Sequence, residues 1–519
     1  MRMLHTGRAA AWLLLLSLVA AGCGEREEFW DRDLGITGPV ALSDGGVFLS
    51  SSLDELIVVR SDKDRELVLN RYPVGAAPKV INVMDDDRIL LWSKKDKILD
   101  LVDPDGATAR SYDLGTAFSG FQVSPEGRFV VAWVTSASDD DDFFINAGQI
   151  AVVDLTEDEG ADNPRLLSLK SYGDAPVGVN IAPAEKAGGA IRQPALITWR
   201  SYVSVLDLRD PAVGDVSVPL RPGDGEDEIL PGAMKFAEGT EDLVRAYFIS
   251  TSSDDLYEIT IASGELSKQG AAAVAINLFP TAPSPSSFEL YRLANGDLRI
   301  ATICKSNRLV ITDPESSETL ILKLAIDPNR LKIFDMQAMD GESIERFALI
   351  SSGSYSQFYL VELEHVALKK SKALHLTSAP APLADVIELP AQGQFLLFHS
   401  SGDSAISVAE PANDKLTSII GTGSMETRLF LPEDDLLLVL TIRNGARYLV
   451  AMDTVTLHAR AVELEGTTSQ SATMMPLPDA GMILIWVAGE QRLIQVPLDF
   501  KDRGDLTDYP MFLFDGLMD

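Results

Sequence analysis

Cysteine and histidine are scarce in this chain, which has two cysteines and five histidines among 519 residues. The two cysteines, Cys23 and Cys304, permit at most one disulfide, so no disulfide framework holds the fold. The histidines are scattered without the spacing of a metal site, and neither Gly-x-Ser-x-Gly nor His-Glu-x-x-His occurs. The sequence therefore lacks these catalytic motifs, and burial of apolar side chains must stabilise the protein.

Basic residues are also in short supply. Lys and Arg number 44 against 77 Asp and Glu, which gives a formal net charge of −33 at pH 7. Such a surface repels phosphate backbones and anionic headgroups over about 8 Å, the Debye length at physiological salt. We therefore do not expect nucleic acid as a partner. We interpret the excess negative charge mainly as a source of solubility. Its second interpretation is a surface that binds cations or basic peptides.

The N-terminus carries the most specific local signal. Arg2 and Arg8 precede an apolar run over residues 9–21, which is shorter than the ~20 residues a membrane-spanning helix needs. Ala20-Ala21-Gly22-Cys23 follows directly. This order of charge, apolar run, small residues and cysteine resembles the signal peptide and lipobox of bacterial lipoproteins.

That resemblance implies a lipid-anchored, exported protein. Residues 1–22 would be a removed signal peptide, Cys23 the lipidated N-terminus, and residues 23–36 an acidic tether ahead of a single β-rich body over residues 37–519. Gly24 stands where aspartate favours inner-membrane retention in such proteins. The resemblance therefore implies an outer-membrane anchor, with the body facing the periplasm or the cell surface.

Internal repetition dominates the remaining sequence. The clearest unit contains four short runs rich in β-branched residues, over residues 120–123, 128–133, 149–154 and 165–169. Gly, Asp, Pro or Ser turns separate them, which predicts consecutive antiparallel strands. The first turn reads Ser124-Pro125-Glu126-Gly127 and the third run ends at Asp154.

This unit resembles the YVTN and WD-type β-propeller repeats, which implies an all-β propeller of four-stranded antiparallel blades. About ten units can be counted at a step of roughly 48 residues. Their third strands are predicted to end near Asp62, Asp103, Asp154, Asp207, Ile261, Asp313, Leu363, Ala409, Asp453 and Pro497. Single propellers usually have about four to eight blades, fewer than the units counted here. The predicted blade number is therefore a range, from seven to ten.

Two further features concern packing and closure. Trp92, Trp133, Trp199 and Trp486 recur late in the second strand of their units, a position that predicts burial between blades. Residues 509–514 are predicted to form the last outer strand, and closure by strands from both ends would bring Pro39 near Phe514.

Acidic loops are the candidate binding site. Asp139, Asp140, Asp141 and Asp142 interrupt one unit between its second and third strands, and Asp224, Glu226, Asp227 and Glu228 lie between two units. Both connection types emerge on one face of a propeller. Their carboxylates suit a basic peptide, or Ca²⁺ with its oxygen ligands. Asp154, Thr156 and Asp158 only partly match a Ca²⁺ loop, because Glu159 replaces its required glycine.

Two functions remain open. The favoured one is a non-enzymatic, lipid-anchored platform or scaffold that binds an envelope protein or basic peptide, with no cofactor predicted. The alternative is a lactonase-like hydrolase or quinoprotein-like oxidoreductase with a metal or cofactor in the central channel. That alternative requires Gln122, Asn82, Asn180 and Glu388, on first strands, to converge within about 5 Å, the reach of a Ca²⁺ site with its ligands.

Overall fold

The computed structural model describes residues 35–61, 66–103, 108–135, 146–169, 175–187, 190–220, 228–240, 243–337, 344–364, 374–389, 392–400, 406–410, 415–419, 423–464 and 471–509. Regular structure in these ranges is almost entirely β-strand, with one α-helix over Leu266–Gln269. The strands form ten four-stranded antiparallel sheets, each built from successive strands of the chain, and one additional hairpin. The protein is an all-β, ten-bladed propeller.

The first five blades are formed by residues 36–280. Blade 1 contains β1 (Ile36–Leu42), β2 (Gly45–Ser50), β3 (Glu55–Ser61) and β4 (Leu67–Pro73), and blade 2 contains β5 (Pro78–Val83), β6 (Ile89–Ser93), β7 (Ile98–Val102) and β8 (Thr108–Asp113). Blade 3 contains β9 (Gly120–Val123), β10 (Phe129–Trp133), β11 (Gln149–Asp154) and β12 (Arg165–Ser168). Blade 4 contains β13 (Gly178–Ile181), β16 (Pro194–Trp199), β17 (Tyr202–Asp207) and β18 (Val216–Pro219), with the hairpin β14 (Glu185–Ala187) and β15 (Ala190–Arg192) inserted after β13. Blade 5 contains β19 (Lys235–Thr240), β20 (Leu243–Ile249), β21 (Asp255–Ile261) and β22 (Val274–Pro280).

The remaining five blades follow the same order. Blade 6 contains β23 (Pro285–Arg292), β24 (Leu298–Cys304), β25 (Arg308–Asp313) and β26 (Glu318–Lys323), and blade 7 contains β27 (Arg330–Gln337), β28 (Ile344–Ser352), β29 (Tyr355–Glu362) and β30 (Leu374–Ser378). Blade 8 contains β31 (Leu383–Leu389), β32 (Gln394–His399), β33 (Ile406–Glu410) and β34 (Lys415–Ile419). Blade 9 contains β35 (Ser424–Leu431), β36 (Leu436–Arg443), β37 (Ala446–Asp453) and β38 (Ala459–Leu464), and blade 10 contains β39 (Ala472–Leu477), β40 (Met482–Val487), β41 (Arg492–Pro497) and β42 (Thr507–Tyr509).

The sequence repeat corresponds to these blades. Third strands end at the predicted residue in blades 3, 4, 5, 6, 9 and 10, and within one residue of it in the other four. Glu238 and Gly239, which resemble the Glu126-Gly127 turn in sequence, lie inside β19 instead, whose pairing with β20 contains an irregularity between Ala237 and Thr240. Ten complete sheets also resolve the blade number, which exceeds the usual propeller range.

The core lies between blades. Ten separate hydrophobic clusters fill the ten junctions between neighbouring blades. Second strands supply much of this core because their successive side chains point to opposite sides of the sheet. In β10, Val130 contributes to the junction with blade 2, whereas Phe129 and Trp133 contribute to the junction with blade 4. Each blade is thus held on both faces by apolar burial.

The ring closes where blade 10 meets blade 1, a junction that we call the seam. Phe48, Ile57 and Val59 of blade 1 pack there with Met475 and Trp486 of blade 10, among others. Among the described residues β1 pairs with β2 and β42 with β41, and no strand is shared across the seam. The expected closure by strand pairing between the two chain ends is therefore not seen in this part of the chain, and Phe514 lies outside it.

The ring has two ends with different connections. We define the lower face as the end where second strands run into third strands and where one blade runs into the next. The upper face carries the connections from first to second and from third to fourth strands. The first strands of neighbouring blades contact one another, as β23 does β27 and β35 does β39, and they form the inner wall of the ring.

Candidate functional site

The predicted acidic site is only partly within the described residues. Cys23, Asp139, Asp140, Asp141, Asp142, Asp224, Glu226 and Asp227 lie outside them, whereas Glu228 lies inside. The flanking strands nevertheless define both connections: residues 134–148 join the second and third strands of blade 3, and residues 220–234 join blade 4 to blade 5. Both connections belong to the lower face.

Glu228 is fixed between two turns of the lower face. Arg200 Nη1, in the turn after β16, donates a hydrogen bond to Glu228 Oε2 at 3.0 Å. Ser252 Oγ, in the turn after β20, donates to the Glu228 carbonyl oxygen at 2.6 Å. The Arg200 and Glu228 side chains are 53% and 59% exposed, so this ion pair adds less than about 1 kcal/mol to stability. These contacts position the end of the second acidic connection.

The proposed channel constellation does not form. Asn82, Gln122 and Asn180 lie on the first strands of blades 2, 3 and 4, as predicted, but Glu388 lies on that of blade 8, across the ring. Asn82 lines a small cavity at the first turns of blades 2 and 3, and Glu388 lines another cavity formed by blades 5 to 8. The four residues therefore belong to different parts of the wall.

The inner wall is divided by charge into two arcs. The first strands of blades 10 and 1 to 4 contain one charged residue, Lys79. Those of blades 5 to 9 contain many charges of both signs, which we call the charged arc: Lys235, Glu238, Glu289, Arg292, Arg330, Lys332, Asp335, Asp385, Glu388, Glu426 and Arg428. The charged arc is the most polar part of the inner wall.

Most charges of this arc are matched by a neighbour. Lys235 Nζ lies 2.6 Å from Glu289 Oε2, which links blades 5 and 6. Arg346, on β28, donates from Nη2 to Asp335 Oδ2 at 2.7 Å. Arg428 forms an ion pair with Asp385, which links blades 9 and 8. Such pairs hold side chains in place on the wall more than they stabilise the protein.

Lys332 and Glu388 form no ion pair among the described residues, and they face one cavity of about 790 Å³ formed by blades 5 to 8. Desolvation by the wall raises the pKa of Glu388, and Asp335 raises it further while Lys332 opposes the shift. Desolvation likewise lowers the pKa of Lys332, with Glu388 opposing and Arg428 adding to this effect. Each group is thus held where its charged form lacks a full counter-charge.

The partial Ca²⁺-loop match is a local hydrogen-bonded turn. Thr156 donates to Asp154 Oδ1 from its backbone nitrogen at 2.9 Å and from Oγ1 at 2.6 Å. Arg128 Nη2 lies 2.6 Å from Asp154 Oδ2. Burial opposes ionisation here, but these hydrogen bonds outweigh it and lower the pKa of Asp154. The described residues contain no group of three or more His, Cys, Asp or Glu side chains arranged to bind a metal.

The isolated cysteine and one histidine are core residues. Cys304 is fully buried beside Ala282 and Val310, and this burial raises the pKa of its thiol, which opposes thiolate formation. His399 is 1% exposed and contacts the Ala381 carbonyl oxygen and the Ser407 hydroxyl. These neighbourhoods satisfy both side chains without a ligand.

Sequence reasoning missed the charged arc. The signal was present, because Leu331-Lys332-Ile333 and Val386-Ile387-Glu388 each place a charge in an otherwise apolar first strand. A charge in a strand that lines an inner wall must meet either water, a partner or a ligand. Whether such a charge has an ion-pair partner depends on residues of the neighbouring blade. The linear sequence does not reveal these contacts between blades.

The fold and wall define the class of protein as a ten-bladed β-propeller. No family model and no curated protein matches the sequence. Among solved structures the chain is similar to dihydro-heme d1 dehydrogenase NirN in complex with DHE, at 12% identity and a TM-score of 0.41, covering 74% of this chain and 75% of that one.

Two other solved structures show the same kind of likeness. The Dos1 propeller matches at 12% identity and a TM-score of 0.38 over 74% of this chain and 93% of that one. Apo AztD from Citrobacter koseri matches at 12% identity and a TM-score of 0.32 over 72% and 93%. Likenesses at this level concern the fold alone.

The described residues contain no helix with the length and apolarity needed to cross a membrane.

Proposed function

We propose that this protein is a lipid-anchored platform of the cell envelope that binds a basic protein or peptide through the acidic connections of its lower face. The strand order supports the proposal, because the strands that flank both long acidic connections, residues 134–148 and 220–234, have the relevant ends on the lower face. Other turns on this face, such as residues 51–54 and 94–97, are much shorter.

The ring supplies what a platform needs. Apolar clusters at all ten junctions hold the blades, and so the strands that flank the connections, at fixed spacing. Glu228, at the end of one acidic connection, contacts two neighbouring turns. A rigid surface loses little conformational entropy when a partner binds. Carboxylates concentrated at one end of an acidic protein accelerate association with a basic partner.

Affinity capture from crosslinked native membranes tests this function. Full-length protein is compared with a variant in which Asp139, Asp140, Asp141 and Asp142 are changed to Asn. We expect reproducible co-purification of envelope proteins with the wild type and their loss with the variant, because rim charges govern partner encounter. A Cys23→Ser protein should leave the membrane fraction.

The matched control removes four charges from the opposite end of the ring. Asp85→Asn, Glu433→Gln, Asp434→Asn and Asp499→Asn change exposed carboxylates in upper-face connections by the same total charge. This control should keep the captured proteins. Equal capture by the wild type, the lower-face variant and the control contradicts binding through the lower face.

A further inference from the structure

The cavity in the charged arc has two charges left over after its ion pairs are assigned. Lys235 is matched by Glu289, and Asp335 by Arg346, at the distances given above. Among the described side chains neither Lys332 nor Glu388 has an opposite charge within 4.0 Å. Arg292 also lines the cavity and is engaged by its own neighbours, including the Gly296 carbonyl oxygen, to which its Nη1 donates at 2.9 Å. The cavity therefore presents one ammonium and one carboxylate without an ion-pair partner, from adjacent blades 7 and 8.

The Lys332 ammonium is held in position but not saturated. Its Nζ donates to the Val386 carbonyl oxygen, in blade 8, at 2.8 Å and lies 5.2 Å from the centre of the Phe334 ring. An ammonium has three donors, so two remain for another acceptor. No described residue donates a hydrogen bond to the Glu388 carboxylate.

A third group in the same cavity also has unused hydrogen-bonding capacity. Tyr291 lines it and is 5% exposed, and its hydroxyl has no hydrogen-bond partner among the described residues. A buried hydroxyl without a partner costs about 1–3 kcal/mol, so a polar ligand atom within its reach would be favoured. Phe334 and Leu290 provide an apolar part of the lining.

We propose that this cavity binds a small zwitterion, whose carboxylate contacts Lys332 and whose amine contacts Glu388. A ligand with a single charge would meet like charges in the cavity. An anion would face Glu388 and Asp335, and a cation would face Lys332 and Arg428. A molecule with both charges meets a counter-charge at each end. This site on the inner wall is separate from the platform on the lower face.

Isothermal titration calorimetry of full-length protein in detergent tests the proposal. The probes are glycine, β-alanine, 4-aminobutanoate and 6-aminohexanoate, which separate the two charges by increasing lengths. Butanoate and butylamine, each with one charge, serve as controls at equal ionic strength. We expect one chain length to bind at least about tenfold more tightly than either single-charge probe, as the loss of one charge-assisted contact implies.

Two single substitutions, one control and one charge exchange assign the contacts. Lys332→Met and Glu388→Gln remove one charge each at similar volume, and each should weaken the best probe by about tenfold or more. Lys79→Met changes the one charged residue on the first strands of blades 10 and 1 to 4, away from the cavity, and should leave binding unchanged. The exchange Lys332→Glu with Glu388→Lys should restore binding, since a small zwitterion can enter in the opposite sense.

Melting temperatures of all variants show whether the fold is intact, and only variants that melt within a few degrees of the wild type are compared. Absence of binding for every probe contradicts the proposal. So does butanoate binding as tightly as the best amino acid, or binding that both single substitutions leave unchanged. Loss of the lower-face partners in the capture experiment has no bearing on this site.

Discussion

The buried carboxylate of Glu258 is satisfied by neighbours in its own blade. Glu258 on β21 is 2% exposed and accepts hydrogen bonds from Tyr247 on β20, at 2.5 Å, and from Asn277 on β22, at 2.7 Å. Burial, together with Glu258, raises the pKa of Tyr247. Removing one member of such a group exposes the others to the full cost of burial without a partner.

His399 offers the sharpest test at this scale. Its Nδ1 lies 3.0 Å from the Ala381 carbonyl oxygen and its Nε2 lies 2.8 Å from Ser407 Oγ. A carbonyl oxygen only accepts, so Nδ1 carries the proton and Nε2 accepts from the serine hydroxyl in the neutral ring. Burial lowers the pKa of His399, although the bond to Ala381 opposes the shift.

The sign of the pH effect follows from this shift. As pH falls through the ordinary histidine pKa near about 6.5, the unfolded chain takes up a proton that the folded ring does not. The free energy of unfolding should therefore fall between pH 7.5 and pH 5. In a His399→Gln protein this histidine contribution is absent, so denaturant titrations should show a smaller fall.

The control is His375→Gln. This histidine is exposed and contacts Glu362 at 2.9 Å on the outer edge of blade 7. Comparing the two variants shows whether a change in slope depends on the buried ring of His399 or follows the loss of any histidine. An unchanged slope in the His399 variant would show that another group dominates the acid sensitivity.

Second strands are the elements on which the fold depends most. β2, β6, β10, β16 and β40 are buried along their whole length, because a blade covers each of their two sides. The predicted burial of the four tryptophans is confirmed, with exposures from 1% for Trp199 to 8% for Trp133. An aromatic ring at this position fills a junction rather than a ligand site.

Trp199→Ala should lower the free energy of unfolding by about 3–5 kcal/mol, because it removes a large side chain from the junction of blades 3 and 4. Denaturant titration measures the change. Leu166→Ala, on the outer strand β12 and 48% exposed, is the control and should change stability by less than about 0.5 kcal/mol. Similar losses for both variants would mean that the junction relaxes around the cavity.

Strand order could be predicted from the sequence, but side-chain pairing could not. A polar turn residue after an apolar run marks the end of a third strand. This pattern predicts the last residue of four third strands, namely Asp154, Asp207, Asp313 and Asp453. The hairpin of β14 and β15 has no counterpart in the described parts of the other units, so no repeat predicts it. Lys332 and Glu388 are 56 positions apart in the chain, and their proximity depends on how two blades pack.

The whole molecule depends on a seam made of side chains. Phe48 and Trp486 meet there edge to face, with ring centres 4.9 Å apart. Gly46 on β2 approaches Met475 so closely that a Cβ atom would lie 2.1 Å from the Met475 sulfur. Met475 is fully buried and has little room to move.

Gly46→Ala should therefore destabilise the ring by about 1–3 kcal/mol, the usual cost of overpacking a core. Thermal unfolding measures the loss. The double variant Gly46→Ala with Met475→Ala should lose less stability than the two single variants added together, because the shorter side chain makes room for the new methyl group. The control Gly178→Ala, where a Cβ would lie 3.5 Å from Thr198 Oγ1, should be tolerated. Losses that simply add in the double variant would place the strain elsewhere.

The chain enters the ring at this seam. Nine junctions are crossed by the polypeptide as it passes from blade to blade, whereas the tenth is not, and β1, the first strand after residue 35, belongs to the blade beside it. A pulling force applied through the preceding residues would therefore reach the one junction that no covalent bond spans. Under tension the ring should open at the seam first, while the chain itself still connects the blades at the other nine junctions.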